Sequence, residues 1–73
     1  MMGISSDSAK DIARIGANIE ITSTSNFSSD TVKDIIRIAT TKGIHVTIHA
    51  SKYSSDSLKD MARIGKEKIT IVV

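Results

Sequence analysis

Twelve residues recur three times in this chain, and that repetition constrains the fold more than any other feature. Serine, serine, aspartate, a hydroxyl residue, an apolar residue, lysine, aspartate, two apolar residues, arginine, isoleucine and a small residue follow in that order from Ser5, Ser28 and Ser54, which lie 23 and 26 residues apart. A unit of that length has room for one helix and one strand. Units so short must stack, each burying its apolar side against the next.

The start of each copy reads as a helix N-terminus. With Ser5, Ser28 and Ser54 as N-caps, Ile4, Phe27 and Tyr53 stand just before the cap and Ala9, Val32 and Leu58 one turn inside. That pairing is the hydrophobic staple. Asp7, Asp30 and Asp56 then occupy the first turn, where a carboxylate complements the positive end of the helix dipole. The apolar stripe continues at helical spacing as Ile12 and Ala13, Ile35 and Ile36, Met61 and Ala62, so the middle copy is the best anchored and the first the weakest. Gly16 and Gly65 are expected to stop the outer helices, and the run from Ala39 to Gly43 lets the middle helix extend by about a turn.

After each helix comes a short alternating segment: 19–22, 44–49 and 69–73. Strands of a parallel sheet covered on both faces are apolar throughout, so alternation predicts helices on one face only. Crossovers of a single hand then give strand order 1-2-3. The expected fold is α/β: one domain over residues 1–73, with units at about 4–23, 27–50 and 53–73, in which a mainly parallel three-stranded sheet is backed by three helices. Ile21 lies six residues before Phe27 and Val46 seven before Tyr53, a mismatch that a bulge or a changed loop path must absorb. The period is that of leucine-rich repeats, but the Leu/Asn consensus of that family is absent, and no family is assigned.

Composition narrows the chemistry. A chain of 73 residues hides about 60% of its unfolded surface, so a monomer is expected to be marginal. It has no cysteine, which removes disulfides, thiolate metal sites and cysteine nucleophiles together. No basic leader and no apolar stretch near the roughly 20 residues of a membrane span occurs, so a cytoplasmic protein is expected. The net charge is +2, and each copy contributes nothing to it, carrying two aspartates, a lysine and an arginine. The excess is Lys42, Lys52, Lys66 and Lys68 over Glu20 and Glu67, mostly placed where helices end.

Five groups of residues invite a functional reading. His45 and His49 share the open face of the middle strand but stand about 13 Å apart, too far for one metal ion. Each Ser-Ser pair is accounted for as a cap, and no nucleophile elbow occurs. No catalytic, cofactor-binding or metal-binding residue is therefore expected, and no cofactor. The strand-to-helix loops, with Asn26, Ser51, Lys52 and Tyr53, lie where α/β proteins place small ligands. Lys10, Arg14, Lys33, Arg37, Lys59 and Arg63 form rows across stacked helices that nucleic acid could use, but rows of aspartate run beside them.

The fifth group is the final strand. Ile69, Thr70, Ile71, Val72 and Val73 carry no proline and no charge, and no polar capping unit follows. This predicts a non-enzymatic interaction or self-assembly module that forms a homodimer through its sheet edge, with pairing across a two-fold axis as the simplest geometry. Nucleic-acid binding and a small ligand at the loop rim are the alternatives.

Overall fold

A computed structural model describes residues 5–22, 27–50 and 53–73. Helix α1 (Ser6–Ile15) leads to strand β1 (Ile19–Ile21), α2 (Ser29–Lys42) to β2 (Val46–His49), and α3 (Ser55–Gly65) through a single 3-10 turn (Lys66–Lys68) to β3 (Ile69–Val72). The strands form one parallel sheet in the order β1-β2-β3, and the helices lie on one face of it. The expected α/β layout is the observed one.

The helix starts follow from the local sequence. Ser5, Ser28 and Ser54 have extended backbone and each accepts a hydrogen bond from the amide three residues on, at Ser8, Thr31 and Ser57. Each cap hydroxyl also lies within 3.1–3.2 Å of the hydroxyl of that third residue and donates to it. A hydroxyl thus stands where a capping box has Glu or Gln. Phe27 and Tyr53 pack against the core as the staple requires. Ile4 lies outside the described residues.

Burial records the order of the helices. Ile36 faces the neighbouring α3 at Gly65, so the ninth residue of a copy looks forward to the next helix and the twelfth looks back. Ala9, Val32, Ala13 and Ile36 look forward and are buried, whereas their α3 counterparts Leu58 and Ala62 are half-buried and exposed. Ile35, Ala39, Met61 and Gly65 look back and are buried, whereas Ile12 and Gly16 of α1 are not. Ala62 therefore departs from the expected stripe because, among the described residues, no helix follows α3 to cover it. The core centres on α2 and β2, with Val32, Ile35, Ile36, Val46 and Ile48 fully buried beside Met61 and Ile21.

Two details complete the sequence reading. The ladder runs regularly from Ile19↔Val46 to Ile21↔Ile48 without a bulge, so of the two expected ways to absorb the mismatch it is the loop path that does so. The odd residue therefore sits in the connections to the helices. Gly65 does not stop α3 by a left-handed conformation: its φ is −89°, and the turn is made by Lys66 at φ 51°. Gly16 (φ 111°) and Gly43 (φ 74°) do cap their helices in the left-handed region, and α2 is the longest of the three as expected.

Asn18 ties the first two strands together below β1. Its side-chain oxygen accepts from the His45 amide at 2.9 Å, while the Ile19 amide donates to the His45 carbonyl at 3.0 Å. Two backbone groups that precede β2 are thereby satisfied.

Candidate assembly surface

The sheet ends at β3 on one side and at β1 on the other. Along β3, Ile69 and Ile71 turn toward the helices and are half-buried, while Thr70 and Val72 look outward. Val72 is 42% exposed and Val73 lies fully in solvent. The strand pairs with β2 along one edge, from Val46↔Ile69 to His49↔Val72. Its other edge presents backbone donors and acceptors beside apolar side chains, which is what a strand from another chain can pair with.

The charge rows lie on the outer face of the helix layer and, Lys59 excepted, are neutralised in place. Each arginine contacts the aspartate three residues earlier in its own helix: Arg14 to Asp11 at 2.8 Å, Arg37 to Asp34 at 2.9 Å and Arg63 to Asp60 at 2.7 Å. The lysines cross between helices instead, Lys10 to Asp34 at 3.6 Å and Lys33 to Asp60 at 3.5 Å. Exposed pairs of this kind are worth about 0.2–1 kcal/mol each, so the lattice aligns neighbouring helices more than it stabilises them. Lys59 is exposed, and among the described residues it has no carboxylate partner.

On the open sheet face the histidines form two separate cross-strand couples. His49 Nε2 lies 2.6 Å from Glu20 Oε2 on β1, and His45 Nε2 lies 2.6 Å from Thr70 Oγ1 on β3. Each imidazole is thus engaged with a different strand, and among the described residues no group of three His, Asp or Glu side chains is placed to hold a metal ion.

Of the loop rim, Asn26, Ser51 and Lys52 lie outside the described residues. Tyr53 is half-buried, and its hydroxyl donates to the Phe27 carbonyl at 3.0 Å, joining the start of α3 to that of α2. A shallow groove of about 290 Å³ opens between the ends of α1 and α2, lined by Arg14, Arg37, Ile38, Thr41 and Lys42. It is cationic in side chains, but two of its cations are already paired and the helix C-termini beside it carry partial negative charge. An anion gains little there.

The sequence reading did not foresee the cross-helix direction of the lysines, the contact role of Gly65 or the exposure of Ile15. The first had a signal, since lysine and aspartate adjoin in every copy and so meet when copies stack with a small offset. Ile15 is 84% exposed, whereas its counterparts Ile38 and Ile64 are half-buried. Comparison with family models, with curated proteins and with solved structures finds no match to this chain. Among the described residues no helix is long and apolar enough to cross a membrane.

Proposed function

We propose that this chain is a non-enzymatic interaction module that associates with a second copy of itself through the free edge of β3. The observation that carries the reading is that edge: a four-residue apolar-rich strand, hydrogen-bonded along one side, that ends on the exposed Val72 and is followed by the exposed Val73. Pairing there satisfies backbone groups and removes apolar surface in one step, and it extends the sheet from three strands to six. The arginine and lysine rows, neutralised except at Lys59, give no comparable support to nucleic-acid binding. Ser5, Ser28 and Ser54, which a catalytic reading would cast as nucleophiles, are held as helix caps.

Sedimentation of the unmodified chain at micromolar concentration, beside Val72→Lys, tests this. A homodimer or larger assembly is expected for the unmodified chain. A charge at the outward-facing Val72 should shift it toward monomer while the helical circular dichroism persists. A stable, folded monomer at that concentration refutes the reading.

A further inference from the structure

The stack has two unlike ends, and they match. The same junction is made twice inside the chain, always from the lysine of one copy to the aspartate of the next: Lys10 to Asp34, then Lys33 to Asp60. By that rule Lys59 is the lysine awaiting a next copy, and Asp11 is the aspartate awaiting a preceding one. Asp34 and Asp60, each met by a lysine, have side chains 50% exposed, while that of Asp11 is 69% exposed.

The apolar surfaces obey the same rule. Ile38 and Ile64 are half-buried on the side of α2 and α3 that faces the preceding helix, and Ile15 stands 84% exposed because, among the described residues, no helix precedes α1. At the other end Ala62 is bare where Ala13 and Ile36 are buried by the helix that follows. Where the ninth residue of one copy meets the twelfth of the next, at least one is small: Ala13 precedes Ala39, and Ile36 meets Gly65. A third junction would set Ala62 toward Gly16. The free edges of β1 and β3 face opposite ways in one parallel sheet, as a parallel continuation requires.

We infer that the surface received by the β3 and α3 end is the β1 and α1 end of a second copy, docked in parallel so that Lys59 of one copy meets Asp11 of the next. This rests on the self-association reading and fixes its geometry: the contact is head-to-tail and not two-fold. A head-to-tail contact leaves one end free on each side, so the assembly grows past two copies or closes into a ring, whereas a two-fold β3 junction stops at two. A two-fold junction also leaves Asp11 and Ile15 remote from the contact.

Charge exchange separates these arrangements. Asp11→Lys and Lys59→Asp are prepared as single variants and sedimented alone and as an equimolar mixture, with far-ultraviolet circular dichroism to verify folding. Each alone places like charges at the junction, and its dissociation constant should rise about 2- to 30-fold. In the mixture every junction of an alternating assembly is again opposite in charge, and association should return to the unmodified level. Ile15→Lys, at a position already exposed in the single copy, should weaken association as well. If the unmodified chain is monomeric, this inference falls together with the self-association reading. If it associates and Val72→Lys disrupts it, while Ile15→Lys has no effect and mixing restores nothing, the head-to-tail geometry is overturned and the β3 reading stands. Should either charge variant fail to fold, Ile15→Lys decides: weakened association with intact helices supports the inference, and unchanged association overturns it.

Discussion

Replacing Gly65 by alanine should destabilise the fold, although alanine is the better helix former. Gly65 is the last residue of α3, with ordinary helical angles, so no conformational rule reserves the position for glycine. In isolation the change would gain up to about 1 kcal/mol of helix propensity, and less at a helix end. Space decides otherwise. A methyl group there would lie well inside contact distance of Ile69 Cγ2, 2.9 Å from Ile36 Cγ2 and 3.2 Å from Ile69 Cγ1. Ile36 is fully buried, and both Cγ2 groups are branches at Cβ that cannot swing aside without turning χ1. Overpacking of this kind costs about 1–3 kcal/mol, leaving a net loss of about 1–2 kcal/mol. For a domain of this size that lowers the melting midpoint by roughly 4–16 °C. Urea denaturation followed by circular dichroism measures the loss, and a double-mutant cycle identifies its source. Ile69→Leu moves the branch away from Cβ, so Gly65→Ala combined with Ile69→Leu should recover part of the loss. A Gly65→Ala variant at least as stable as the unmodified protein would refute the close approach of α3 to β3.

Two further outcomes follow from burial and backbone geometry. Ile36→Ala should cost about 2–5 kcal/mol, because Ile36 is fully enclosed, while Ile15→Ala should stay within about 0.5 kcal/mol; equal losses in urea denaturation would contradict the stacking order. Lys66→Gly should stabilise by about 1 kcal/mol, since φ 51° with ψ −121° is a conformation that suits glycine, and an unchanged or lowered melting midpoint would show that Lys66 is unstrained.

The features legible in the sequence are those fixed within a few residues of one another. A serine cap is decided by its own hydroxyl and the amide three residues on, so Ser5, Ser28 and Ser54 could be placed without tertiary knowledge. The one-sided sheet was legible because alternation in residues 44–49 reports directly on what covers each face. Gly65 was misread because its role depends on how closely the following strand returns beneath α3, a distance that no local pattern encodes. The mismatch between the first two units was visible but not assignable for a related reason: counting residues to the next helix does not tell a bulge from a changed loop path, and the regular ladder from Ile19↔Val46 to Ile21↔Ile48 assigns it to the loops. The edge strand was legible as an edge, since lack of charge and proline is a property of residues 69–73 themselves. What lies against that edge is a property of surfaces, and Asn26, Ser51 and Lys52 of the loop rim fall outside the described residues.

The three copies differ most where their surroundings differ, and that difference bears on assembly. At the forward-facing ninth position the middle copy has Ile36 and the outer copies have Ala13 and Ala62; at the forward-facing fifth position the series is Ala9, Val32 and Leu58. Apolar volume is therefore greatest where helices flank both sides, and the stability of each outer copy depends on the one neighbour it touches. A second copy added at either end would turn an outer unit into an inner one. It would cover Leu58 and Ala62 from one side, or Ile12 and Ile15 from the other, with no change to the contacts already made. Fully burying a side chain such as Leu or Ile contributes about 1.5–3 kcal/mol, and Leu58 and Ile12 are already half-covered, so Ile15 at 84% exposure has the most to gain. Its position on α1, away from the β3 edge, is what would make the proposed head-to-tail contact larger than a strand pairing alone.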